Sequence, residues 1–267
     1  MTGRRSERGL ALVVVLWGVA ALSLIAAAML AASANSARIS RNAWMQLQVQ
    51  QAADTAVQTT LLSLYDPDPA GHAVLDGRSR DIGAQVTVSV QDETGRLDIN
   101  LASRNQLRDY FKSAGADAQD ADTLADRVVD WRSPKGTQSL NGASAEDYEG
   151  AGYRPRGAPF QSVDELQFVL GMTPALLRSA APGLTVYSHH QDFDLRFAPK
   201  EVLALIPGMD AAKIDQAIAM RRPTPALSGH AFTIIATARH GHMEFTRRVV
   251  VLITRDPTHP YWILDWT

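Results

Sequence analysis

The chain has 267 residues, 46% hydrophobic and 20% charged, which allows a long anchor plus one large or two small domains and excludes a disordered chain. A net charge of −2 argues against a protein whose main task is holding DNA or RNA, because that binding draws its energy from neutralising phosphates. The absence of cysteine removes disulfides, thiolate nucleophiles and cysteine-based metal sites together, and leaves a chain that needs no oxidative folding.

The first element is apolar. From Leu10 to Ala32 there is no charged residue, and a helix of that length reaches roughly 30 Å, enough to cross a bilayer core. Arg4, Arg5 and Arg8 precede it, so the stub should stay cytoplasmic and the remainder should face outward. Three readings fit this segment. A cleaved secretory signal would use Ala32-Ser33-Ala34 as its peptidase site, although the apolar run exceeds the usual h-region. A plain single-pass anchor leaves Gly9 without a role. The third reading is a short basic leader that ends at Gly9.

Beyond the apolar run the pattern becomes amphipathic. Ile39, Ala43 and Leu47, then Val49, Ala53, Val57, Leu61 and Leu64, make a helical stripe opposed by Arg, Gln and Asp. The helix should stop at Tyr65-Asp66-Pro67-Asp68-Pro69, where two prolines forbid continuation. Residues 84–92 alternate as a half-buried strand with Val86, Val88 and Val90 on one face. Glu93-Thr94-Gly95 is a turn, and Arg96 to Leu101 reads as a second strand.

A mostly helical stretch follows, with a faint repeat opening at Leu101, at Gln161 and at Phe197. Ser103…Gln106 and Ser162…Glu165 have capping-box spacing, so each should start a helix. The second and third units then turn sharply. Gly171 and Gly208 end a first helix, Thr173 and Asp210 cap the next, and Pro174 suits its first turn. At the C-terminal end, Ala231–Arg239 and Phe245–Thr254 read as strands joined by His240-Gly241-His242, and Tyr261–Trp266 gives a last short strand. A helix first and antiparallel strands later is an α+β pattern.

Two family resemblances rest on these residues. The turning units resemble helix-hairpin-helix modules, which would imply a membrane-tethered DNA-binding or DNA-uptake protein. Those hairpins carry a second Gly near the phosphate, where this chain has Thr173 or Asp210, and a carboxylate there repels phosphate. The basic stub, Gly9 and the apolar helix starting at Leu10 resemble the class III leader of type IV pilins and type II secretion pseudopilins. Such families carry Glu at the fifth mature position, and this chain has Val14. The K-type minor pseudopilins typically lack that Glu. Further stretches resemble the same family in order: Asp92-Glu93-Thr94-Gly95-Arg96-Leu97-Asp98-Ile99-Asn100, Val129-Asp130-Trp131, Ala145-Glu146-Asp147, Tyr153-Arg154, Ser162-Val163-Asp164-Glu165-Leu166, Gly171-Met172-Thr173-Pro174 and Glu201-Val202-Leu203-Ala204-Leu205-Ile206-Pro207-Gly208.

The K-type resemblance implies a pilin-like long N-terminal helix packed on an antiparallel sheet, with a large all-α insertion containing the hairpin units. The leader would be 1–9, the transmembrane half of the helix 10–34, the pilin-like domain 35–100 and 191–267, and the inserted domain 101–190. It implies cleavage by a prepilin peptidase between Gly9 and Leu10 and a single pass through the inner membrane, with the globular part in the periplasm. It also implies partnership with the I- and J-type minor pseudopilins at the pseudopilus tip, with no enzymatic activity and no nucleic acid bound. Val14 suits a tip subunit. A carboxylate in lipid costs about 2.5–3.5 kcal/mol unless paired, and a subunit with none ahead of it has no partner for one.

No G-x-S-x-G, H-E-x-x-H or phosphate loop occurs. Glu146, Asp147 and Glu149 form an acidic, Gly-rich loop that could supply oxygens to calcium, as the K-type resemblance implies, or could be a solvated acidic loop. Arg132 and Lys135 stand where that family often has further acids. His240 and His242 read as a hairpin tip, and His189-His190 as linker polarity. Trp44, Trp131, Tyr148 and Tyr153 are candidates for either interface anchors or core.

Overall fold

The computed structural model describes residues 4–66, 68, 73–83, 85–134 and 138–267. The first helix, α1, runs Arg4–Ser63 without a break. Pro67 and Pro69, assigned to its stop, lie outside the described residues. The same holds for Ala84 and Lys135.

A five-stranded antiparallel sheet forms from β1 (Arg80–Gly83), β2 (Val86–Asp92), β5 (Ala231–His240), β6 (Met243–Ile253) and β7 (Tyr261–Trp266), in the order β1-β2-β5-β6-β7. The second half of α1 covers one face. Val49, Ala53, Val57, Leu61 and Leu64 pack against Val88, Val90, Phe232, Ile234, Val249 and Val251. The helical stripe and the strand alternation therefore meet in one core, as their periods require. Tyr65 ties the end of α1 to the chain entering β7, its hydroxyl donating to the Pro260 carbonyl at 2.6 Å.

Between β2 and β5 the chain leaves the sheet and builds a helical body with its own core. Its elements are β3 (Leu97–Asp98), α2 (Arg104–Ser113), α3 (Ala118–Arg132), α4 (Pro174–Ala180), β4 (Leu184–Thr185), α5 (Lys200–Leu203) and α6 (Ala211–Ala219). The segment read as a strand from Arg96 to Leu101 pairs over two residues only, in parallel with β4, outside the main sheet. Leu97 and Ile99 are fully buried in the helical core, so their alternation served this second core and not the sheet.

That core runs from Leu97 to Ile214 and takes in Ala198, Val202 and Leu203, beyond the 101–190 expected for the insertion. The switch falls between adjacent residues: Phe197 packs in the sheet core and Ala198 in the helical one.

Capping follows the sequence in part. Ser103 and Gln106 make a reciprocal capping box at α2, with the Ser103 N–H donating to Gln106 Oε1 at 2.8 Å. Thr173 and Asp210 cap α4 and α6, and Gly171 and Gly208 adopt positive φ at the turns before them. The second expected capping box does not form. Val163–Phe168 is a 3-10 helix, and Glu165 turns away to accept from Arg156, Trp131 and the Gln161 N–H.

Candidate functional site

The function-bearing surfaces begin with the first half of α1. From Ala11 to Trp44 every side chain is exposed, and the apolar window of this helix is covered by no other part of the chain. It is long and apolar enough to cross a membrane. Backbone groups are satisfied within the helix, so lipid is a tolerable surrounding and water a poor one. Val14 lies on this rod, 64% exposed. Gly18, Ala20, Ala21, Ala26, Ala27 and Ala28 let a neighbouring helix approach closely. Gly9 and Leu10 fall within the helix's first turns.

A second apolar surface lies on the sheet. Strand β7 is an edge, and Trp262 (54%) and Ile263 (51%) are exposed on it with Tyr261, Leu264 and Trp266. The opposite edge is blunted: β1 has four residues, carries Arg80 and Asp81, and pairs irregularly between Asp81 and Gly83.

The helical body carries the family-like motif residues, and their roles there are structural. Asp92 is fully buried and accepts from the Thr94 N–H and hydroxyl at 2.9 and 2.6 Å, and from His230 Nδ1 at 2.8 Å. The Asp98 carboxylate takes the Asn100 and His189 N–H groups. Asn100 bonds Phe160 in both directions, at 3.0 and 2.7 Å. The motif from Asp92 to Asn100 is therefore the root that fastens the helical body to the sheet. Trp131, Tyr148 and Tyr153 join Phe160 and Phe168 in one aromatic cluster, Trp131 and Tyr148 lying 5.4 Å apart edge to face. Trp131 and Tyr148 are core residues and Tyr153 packs half-buried against them, whereas Trp44 is exposed on α1.

Burial alone would raise the Glu165 carboxyl, but bonds from Arg156, Trp131 and Gln161 hold it below the ordinary range. Bonding to Asp92 raises His230 above its usual value. Local pattern could not have announced this pair, since its members stand 138 residues apart.

The acidic loop does not gather its carboxylates. Asp147 is occupied by the Ser144 N–H and hydroxyl at 2.7 and 2.9 Å, which lower its pKa. Between Asp147 and Glu149, Tyr148 points into the core, where its hydroxyl oxygen accepts from the Leu170 N–H at 3.3 Å. Among the described residues, no three His, Asp or Glu side chains are placed to hold a metal. Glu146, Asp147 and Glu149 are thus not gathered into one three-carboxylate group.

The hairpin units offer no phosphate site either. The Asp210 carboxylate accepts from the Lys213 N–H at 2.9 Å, and Thr173 Oγ1 accepts from the Leu176 N–H. Lys213 Nζ turns to the Gly208 carbonyl, and Arg127 to the Leu170 carbonyl. The groups a backbone phosphate would need are already used. His240 and His242 flank the β5–β6 turn, and His189 and His190 are exposed.

Residues 87–189 match the family model described as type II secretion system protein K. Over 251 residues the chain is 25% identical to the type II secretion system protein K of Pseudomonas aeruginosa, spanning 82% of this chain and 73% of that protein. Among solved structures it is similar to a chain of the GspK–GspI–GspJ complex from the enterotoxigenic Escherichia coli type 2 secretion system. The TM-score is 0.58 at 14% identity, over 87% of this chain and 98% of that one. At that identity the likeness is one of fold.

Proposed function

We propose that the chain belongs to the type II secretion system protein K family and is a non-enzymatic minor pseudopilin that initiates or caps the pseudopilus at its tip. After a prepilin peptidase cuts between Gly9 and Leu10, the apolar half of α1 stays in the inner membrane. The sheet and helical body then stand in the periplasm. Its partners are the I- and J-type minor pseudopilins, in keeping with a neighbour crystallised with GspI and GspJ.

One observation carries the tip position: a fully exposed apolar rod bears Val14, and not a carboxylate, where filament subunits need one. In a filament the buried carboxylate is offset by a charge on the subunit ahead. A subunit with nothing ahead would bear the full cost. The helical body, with a core of its own beside the sheet, adds bulk that a close-packed filament interior has no room for.

The direct test is mass spectrometry of the mature N-terminus, made with and without prepilin peptidase. We expect Leu10 with the enzyme and no cut without it. A start near Asn35, with the apolar run lost, would overturn the reading in favour of a conventional secreted protein.

A further inference from the structure

The K-type resemblance implies a bound calcium ion, yet the two buried carboxylates of α3 already accept from other groups. Asp126 and Asp130 lie one turn apart on α3 and are both buried. Asp126 accepts from Arg104 Nε at 2.6 Å and Nη2 at 3.2 Å, and from the N–H and side-chain amide of Asn141. Arg104 also reaches Asp122 at 2.9 Å. Asp130 accepts from the Ser139 N–H at 3.0 Å and from its hydroxyl at 2.7 Å. Gly142 lies so close that a Cβ there would stand 1.6 Å from Asp130 Oδ2. A calcium ion with ligands at about 2.3–2.6 Å has no room on that side.

A second cluster repeats the pattern. Arg132, standing where the family often has an acid, turns its guanidinium inward and donates to the carbonyls of Ile99 and Ala102. Backbone carbonyls at the start of a helical segment are oxygens of the kind calcium takes. Here an arginine holds them, with the Asp98 carboxylate nearby to balance its charge.

We propose that this chain closes its helical body with arginines in the place of a divalent cation, Arg104 at Asp122 and Asp126 and Arg132 at the carbonyls of Ile99 and Ala102, so that the body does not depend on calcium. A guanidinium brings its charge covalently, stays protonated at every physiological pH and offers donors in a fixed planar fork. It cannot be stripped by a chelator. Its one charge replaces two, and the neutral donors of Ser139 and Asn141 make up the remaining bonds.

The test uses the full-length protein in detergent, with thermal unfolding followed by tryptophan fluorescence. We expect the same midpoint in chelator and in millimolar calcium, and no saturable terbium luminescence excited through Trp131. Arg104→Met and Arg132→Met should each lower the midpoint by about 4 °C or more, equally with and without calcium. A saturable rise in the wild-type midpoint with calcium would overturn the proposal. So would terbium emission displaced by calcium, or arginine variants that keep the wild-type midpoint. Should the variants fail to fold, the calcium and terbium measurements on the unaltered chain decide alone.

Discussion

Gly95 sits where the two cores meet. A Cβ there would lie 2.4 Å from the carbonyl carbon and oxygen of Phe197 and 2.8 Å from Ala198 N, and backbone cannot move aside as a flexible side chain can. Gln91 reaches the same place, its amide donating to the Phe197 carbonyl at 2.9 Å. Gly95→Ala should therefore cost about 1–3 kcal/mol by overpacking, read as a lowered unfolding midpoint. Gly150→Ala, with open space around its Cβ, should change little in the same measurement.

His230 belongs to the same junction. It faces Asp92 on β2, with Asp194, Arg196 and His190 from the irregular segment between β4 and α5 around it. Its folded pKa is raised above the ordinary histidine value, chiefly by the bond to Asp92. A raised pKa means that the pair's stabilisation is fully present below that value and is lost as pH rises through the folded pKa. Asp126 and Asp194 have lowered pKa values, from their bonds to Arg104 and Arg196, so their contributions are lost as pH falls through those values. Stability should therefore be greatest in mild acid. His230→Gln should flatten the decline on the neutral and alkaline side and leave the acid side unchanged, in denaturant unfolding over a pH series. An unaltered alkaline slope in the variant would show that His230 does not carry it.

At the scale of elements, α1 is one helix serving two solvents. Its C-terminal half is amphipathic and supports the sheet, and from Ala11 to Ala32 it is apolar all round and covered by no other described part of the chain. A helix that is apolar on every face is stable only in lipid or among other such helices. Val14→Glu should leave the globular core intact, because residue 14 contributes to neither core. On the proposed tip placement, it should allow the subunit to sit lower in the filament, seen as a changed pseudopilus length and a displaced label in purified filaments. An unaltered length and position would remove the physical account of Val14. Strand β7 shows the opposite economy from β1: no Lys or Pro interrupts it, and its large apolar side chains are left uncovered.

The molecule as a whole is a pilin-like helix and sheet with a second core grown between the second and third strands of the sheet, β2 and β5. Much of that was legible in the chain. The uninterrupted apolar run, the stripe from Val49 to Leu64, the alternation at Val86, Val88 and Val90, and the C-terminal hairpin are periodic over enough residues for local pattern to determine the element. The capping box at Ser103 and Gln106 and the turns at Gly171 and Gly208 were legible too, because caps are formed by residues within a few positions of each other.

The strand expected from Arg96 to Leu101 forms over Leu97 and Asp98 only and outside the main sheet, because apolar alternation does not say which core it feeds. Likewise Ser162…Glu165 has capping-box spacing, but Trp131, Arg156 and the Gln161 N–H occupy the Glu165 carboxylate. Periodicity and composition alone determined the rod, the sheet-forming strands and the lack of any thiol chemistry. Only the tertiary structure decided that Asp92 meets His230, that Arg104 and Arg132 fill the acidic and carbonyl clusters, and that the helical core runs on to Ile214. Those pairings join positions tens to more than a hundred residues apart. Charge complementarity and burial select them only after the chain has closed, and no local window of sequence contains both partners.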